Sequence, residues 1–504
     1  MRRVPQRLAA VALVALVGVT GTACTAADPA DDSASLTVVL PEEPQNLDST
    51  VDKADRMPVT REIFESLVSV GTDFELHPAL ATAWVQDGTT WTVTLRADVV
   101  YSNGAAFNAA AVVDTIGAHV EDIVAGGISI SPETTVEAVD DLTVVFTTPT
   151  PEPTFLRQLS QVGIWDPAVE TVGEEVSSRI GTGPYQLVEV VQGQSIVLER
   201  NESYWGEKPE VDGVEYIFRA DASVRAGMIQ SGEADIAYTL SPQNLGSIDT
   251  LTMQIPETPF LSMDVVGDPL GDLRVREAVN LAIDRQAIAE QIFAGGTVPA
   301  TQLFPEGTVG YSDAASGWEH DIDRAIALVN EAAADGVDTS REITLYGRNG
   351  IYVNAPVVMD AIAEALRSIG LSASVQMLDV GAWLDQFQAE RVYGAQIMQG
   401  SAGSFLGDAQ SIIYYYLCPD SPFGAPYDEP ELAELCAASR SAEGEERAEL
   451  FAQVVDYHHE VLKDPQTALV HLGVVFGVSS SIEAETGFLG TAAAVPIESV
   501  RLVS

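Results

Sequence analysis

Histidine, cysteine and paired carboxylates are the side chains through which this 504-residue chain could do chemistry. Its six histidines (His77, His119, His320, His458, His459 and His471) do not fall at metal-ligand spacing. His458 and His459 are adjacent, and adjacent helix positions face different directions, so joint chelation is not expected. There is no HExxH, no Gly-x-Ser-x-Gly, no P-loop and no Rossmann glycine fingerprint. With 74 acidic residues, carboxylate pairs are everywhere, and pairing alone cannot nominate a general acid and base. No catalytic residue, metal or cofactor is therefore expected. A secreted hydrolase stands only as the alternative from a different class.

Cys418 and Cys436 flank a Pro-rich loop, and in an exported protein such a pair reads as a disulfide or as two buried thiols. The remaining cysteine, Cys24, follows a basic start (Arg2, Arg3, Arg7), an apolar run from Leu8 to Thr20 and the small residues Gly21-Thr22-Ala23. The apolar run is too short to span a bilayer comfortably. The segment resembles a bacterial lipobox, with Gly21 where Leu is usual. That resemblance implies a lipoprotein signal segment over 1–24, an acylated Cys24 and a polar tether over 25–35. The protein would then sit outside the cytoplasm, anchored to the outer face of the cell membrane. The alternative is a plain secretory signal cleaved nearby, with Cys24 lost.

The elements that must position any site alternate between strand and helix. Ser35 to Leu40, Trp91 to Leu95, Leu142 to Phe146, Ser195 to Leu198, Val214 to Phe218 and Ala234 to Tyr238 read as strands. So do Ile343 to Tyr346 and Ala373 to Met377. Helical spacing marks Asn108 to Ile116, Ala222 to Ile229, Val275 to Ile292, Asp321 to Ala334 and Pro356 to Ile369. Strand–helix–strand with short connections implies α/β layers. At 46% hydrophobic content the chain can bury a large core, and its length implies two or three domains. Its formal net charge of −49 repels phosphate backbones, so nucleic acid is not an expected partner.

Several stretches together are more specific. Arg61-Glu62-Ile63-Phe64-Glu65-Ser66-Leu67-Val68, His77-Pro78-Ala79-Leu80-Ala81-Thr82-Ala83-Trp84 and Trp91-Thr92-Val93-Thr94-Leu95-Arg96 come first, with Tyr101-Ser102-Asn103-Gly104. Gly181-Thr182-Gly183-Pro184-Tyr185 and Arg200-Asn201-Glu202-Ser203-Tyr204-Trp205-Gly206 follow. Then come Ser231-Gly232-Glu233-Ala234-Asp235, Arg274-Val275-Arg276-Glu277-Ala278 and Ala282-Ile283-Asp284-Arg285. In this order they resemble family 5 of the bacterial extracellular solute-binding proteins. The resemblance implies a two-lobed periplasmic-binding-protein-like α/β fold with two hinge strands and an extra domain inserted in the first lobe. Lobe one would comprise 36–50, 160–262 and 479–504, the inserted domain 51–159 and lobe two 263–478. Hinges are expected near Pro256–Met263 and Ala468–Gly477. Trp84, Trp91 and Trp205 read as packing, and Asp284-Arg285 as an ion pair or cap.

The same resemblance implies a monomer that captures short peptides or a similar small polar ligand by lobe closure and delivers them to the permease subunits of an ABC importer. A nickel chelate or an oligosaccharide is the alternative cargo. Peptide binders of the family hold the ligand's amino terminus with an Asp that follows a Gly-Trp segment. The matching stretch runs from Ile397 to Asp408. Gly400 aligns, but Ser401 replaces the Trp and Ser404 the Asp, and a hydroxyl cannot neutralise a buried ammonium. Ala402 and Phe405 share that wall; either Asp408 takes over the role, or the ligand presents no free amine there. Asp52, Asp55, Arg56, Trp383, Arg391 and His471 are further ligand candidates by position, Arg391 for a ligand carboxylate.

Overall fold

The computed structural model describes residues 34–44, 46–47, 57–117, 130–168, 180–388, 395–421, 428–489 and 492–503. The expectations for Cys24, Asp52, Asp55, Arg56 and Arg391 lie outside the described residues. Among those described, no helix is long and apolar enough to cross a membrane.

Ser35–Leu40 lies parallel between Gly213–Phe218 and Ile236–Ala237. A strand covered on both faces needs an apolar run rather than alternation, which SLTVVL supplies. The complete sheet has seven strands, in the order Asp249–Gln254, Gly473–Val478, Ile236–Ala237, Ser35–Leu40, Gly213–Phe218, Ser195–Arg200, Tyr185–Val191. Val38 and Leu40 join Tyr216 and Phe476 on one side. Val39 points the other way, onto Ala226 and Ile229 of the Ala222–Ser231 helix.

A second sheet has five strands, ordered Ala373–Leu378, Ile343–Arg348, Gln396–Gly403, Glu257–Met263, Gln466–Ala468. The helices Leu273–Ala282, Ile322–Ala334 and Ala355–Ser368 press their apolar stripes onto it, with Val279, Leu328 and Ile362 meeting Leu261, Leu345 and Ile397. Burying such side chains contributes about 1.5–3 kcal/mol each. The helix expected over Val275 to Ile292 is broken. Ile283 is extended (φ −82°, ψ 112°), and Asp284 restarts the chain as a cap by accepting from the Ala287 amide. Arg285 is buried and donates to the Ala468 carbonyl and the Thr467 hydroxyl. A local cap therefore overrides a continuous helical period.

A third, four-stranded sheet is ordered Ala81–Asp87, Thr90–Leu95, Thr143–Thr147, Thr135–Asp140. Trp91, Val93 and Leu95 point into its core while Thr92 and Thr94 face out, the two-residue period of a one-sided strand. The helix expected from Asn108 to Ile116 is a short one, Ala109–Val112, capped by the Asn108 side chain and passing into a wider turn over Val113–Gly117. Cys418 and Cys436 form a disulfide with a Cα–Cα distance of 6.0 Å.

Candidate ligand-binding cleft

The chain passes between the seven-stranded and five-stranded sheets twice. Asp249–Gln254 runs into Glu257–Met263, and Gln466–Ala468 runs through Val470–His471 into Gly473–Val478. Both passages fall in the segments where hinges are expected. They are bound to each other: the Ile255 amide donates to Leu472 at 2.8 Å and the Leu472 amide to Glu257 at 3.0 Å. Thr258 Oγ1 and His471 Nδ1 share a hydrogen bond of 2.8 Å. Burial pushes the His471 imidazole down to about 4, so it is neutral near pH 7 and acts as a strut between the passages.

Against these passages lies a cavity of about 410 Å³. Arg225 and Thr239 line it from the seven-stranded half, Tyr352 and Asn354 from the five-stranded half, and Ile255 and Glu257 from the passage itself. A second cavity of about 280 Å³ adjoins it, lined by Tyr238 and Phe405 among others. Thr239, Ile255, Glu257 and Val474 border both, so the two form one cleft. Its volume suits a small organic molecule. The Arg225 guanidinium is tied up in the wall, donating to the carbonyls of Tyr238, Arg219, Ala220 and Thr239.

The Gln396–Gly403 strand, expected to carry the ligand contacts, pairs antiparallel with Glu257–Met263. Gly400 is required there because a Cβ would come within 2.3 Å of the Phe260 ring. Ser401 donates to Glu257 Oε1 at 2.7 Å, while Ala402 is packed into the core beside Phe260. Ser404 is 1% exposed, its amide donates to Pro256, and its hydroxyl has no hydrogen-bond partner. Phe405 reaches the smaller cavity. Trp383 is buried, its indole donating to the Gln399 carbonyl at 3.1 Å, with Arg348 over its ring at 5.3 Å. Asp408 is committed elsewhere. Arg447 clasps both of its carboxylate oxygens at 2.8 and 2.9 Å, and both residues are at most 5% exposed. Both of its carboxylate oxygens are thus taken up by Arg447.

Ser401 and Phe405 are thus the expected residues nearest the cleft, and His471 and Trp383 support its walls. Glu257, Tyr352 and Asn354 carry no motif. The sequence marks Pro256–Met263 only as a hinge, and an acid inside its apolar run is the signal that could have found Glu257. Beside the same loop, Arg157 donates to the carbonyls of Phe74 (2.6 Å) and Leu406 (2.9 Å), joining the region of the four-stranded sheet to the five-stranded half. Gly407, at φ +66°, permits this approach, since a Cβ would lie 2.6 Å from the Phe74 carbonyl oxygen.

Among the described residues, no three His, Cys, Asp or Glu side chains are placed to hold a metal ion. The architecture is shared with solved structures. A nickel ABC transporter protein from Bacillus halodurans matches with a TM-score of 0.77 and 26% identity, over 89% of this chain and 96% of that one. The substrate-binding protein CtaP from Listeria monocytogenes matches with a TM-score of 0.79 and 21% identity, over 94% and 100%. In sequence, the glutathione-binding protein GsiB of Salmonella choleraesuis is 28% identical over 355 residues, 67% of each chain. Residues 75–422 match the model described as bacterial extracellular solute-binding proteins, family 5 Middle. With two α/β halves, two connecting passages and a cleft between them, the chain belongs to family 5 of the bacterial extracellular solute-binding proteins.

Proposed function

We propose that the protein captures short peptides in this cleft, outside the cytoplasm, and delivers them to the permease subunits of an ABC importer. The observation that carries the reading is the construction of the cavity, whose wall draws on both halves and on the passage between them. A ligand favours a closed state only through contacts made to both halves at once, and this wall offers them. The relatives named for glutathione, itself a modified tripeptide, support a peptide-like cargo. In this reading the half with the seven-stranded sheet moves as one lobe, with 51–159 riding on it, and the half with the five-stranded sheet as the other; against the expected bounds at 262 and 478, Glu257–Met263 goes with the second and Gly473–Val478 with the first. A lipid on Cys24 tethers the monomer to the outer face of the membrane.

A thermal-shift panel tests the cargo. Free-amine di- to pentapeptides and glutathione are expected to raise Tm and to be recovered chemically unchanged. Ligand at a hundredfold excess over Kd adds about 2.7 kcal/mol. A shift produced only by oligosaccharides, or only by a nickel chelate, would sink the peptide reading. Peptide recovered in hydrolysed form would favour the secreted-hydrolase alternative.

A further inference from the structure

We propose that the Glu257 carboxylate is the anchor for the ligand's ammonium group, supplied from a hinge strand in place of the acid that the 397–408 segment lacks. The proposal rests on the reading of the cleft as a small-ligand site and names the group that selects the ligand. Glu257 opens the Glu257–Met263 strand and borders both cavities, so its side chain stands at the seam of the cleft. Of the described residues it is the one carboxylate lining the larger cavity; Glu42, the other on the smaller, is exposed. The one described cation lining either cavity, Arg225, has its donors on four backbone carbonyls and none directed at Glu257.

Among the described residues, Ser401 is the one hydrogen-bond donor to the Glu257 side chain, bonding Oε1 at 2.7 Å. The strand register explains the meeting. Glu257 sits opposite Gly403 and Pro259 opposite Ser401, so Glu257 and Ser401 are diagonal neighbours, and at Gly403 the Phe405 ring takes the place a Cβ would fill. Ser401 therefore orients a carboxylate instead of binding ligand directly. Burial raises the Glu257 carboxyl above its ordinary range, with the Ser401 hydrogen bond and the more distant Arg348 charge pulling it back. A carboxylate held partly out of water with a single neutral donor gains from a cation that brings its own hydrogens. The apolar wall beside it, with Ile255, Phe293, Val353 and Val474, suits a ligand whose ammonium adjoins an aliphatic or aromatic group. The ligand class is a small primary-ammonium compound, a peptide amino terminus above all.

Glu257→Gln keeps the shape and an acceptor for Ser401 but removes the charge, so the variant is expected to fold; an unchanged Tm without ligand checks this. Titration calorimetry compares both proteins with a tripeptide library bearing free amino termini, the same library N-acetylated, and glutathione. Loss of a charge-assisted contact is expected to weaken the free-amine ligands about ten- to a hundredfold. The acetylated library should bind both proteins alike and weakly. Equal affinity of wild type and E257Q for the free-amine library overturns the role of Glu257 alone. Failure of the wild type to bind any amine probe overturns that role and the peptide reading together.

Discussion

Replacing Asp408 with alanine is expected to cost the fold about 3–5 kcal/mol, because it leaves the Arg447 guanidinium buried without its counter-charge. Arg447 stands on the Gly444–Glu460 helix at 4% exposure, with its guanidinium carbon 4.4 Å from the centre of the Phe451 ring. It also donates to Gln410 Oε1 at 2.7 Å. Asp408 in turn accepts from the Gln410 amide, so the pair locks the loop after the Gln396–Gly403 strand against that helix. Arg447→Met in the same background removes the orphaned charge and should restore much of the loss, so the two substitutions are strongly non-additive. Denaturant unfolding of the two single variants and the double variant measures this. Below its unfolding transition, Asp408→Ala should bind peptide within about twofold of the wild type, a difference of only about 0.4 kcal/mol. A stable variant that has lost binding would return Asp408 to the ligand site.

The second large effect is on pH dependence. Glu62 is 1% exposed, accepts from the Ile497 amide at 2.8 Å, and faces Glu498. Burial, reinforced by the Glu498 charge, pushes its carboxyl from 4.5 up to about 8. Burial likewise pushes Glu65, which accepts from the Trp205 indole at 2.8 Å, up to about 7. A carboxyl whose folded value lies above its unfolded one holds its proton more tightly in the native state. Its contribution is fully present below about 4.5 and is lost as pH rises through the window to about 8. Each tenfold gain in proton affinity is worth about 1.4 kcal/mol, so the two groups together contribute on the order of several kcal/mol. The Tm should therefore fall between pH 5 and pH 9, and Glu62→Gln should flatten that slope. Parallel curves for variant and wild type would show that Glu62 is not the group responsible. General repulsion among the many surface acids acts on both proteins alike, so the comparison isolates the buried group.

The layers of this fold were legible because they rest on local patterns. The run Ser35–Leu40 and the alternation Trp91–Leu95 are read directly from β-branched and aromatic spacing. Ordered motifs pointed to the family and to both passages between the sheets. Patterns failed where a polar side chain acts at long range. Asp284 is a local case: it reads as a cap or ion-pair residue and does cap the next turn, although the apolar period running through it hides the break in the helix. Asp408 is paired with Arg447, 39 residues further along the chain, a contact no local pattern records. Glu257 reaches Ser401 across 144 residues, a contact created by strand register, which no single segment records. Ser404, where the resemblance implies an acid, carries a buried hydroxyl without a hydrogen-bond partner, a surrounding that no segment of the sequence records.

The two halves are expected to close on a ligand held in the cleft at their crossing strands. Small-angle X-ray scattering of the full chain, with and without a saturating peptide from the thermal panel, measures this most directly. The radius of gyration is expected to shrink on binding, with Glu257→Gln needing about ten- to a hundredfold more peptide to reach the same contraction. Saturable peptide binding with an unchanged scattering profile would contradict closure and leave the cleft a rigid pocket.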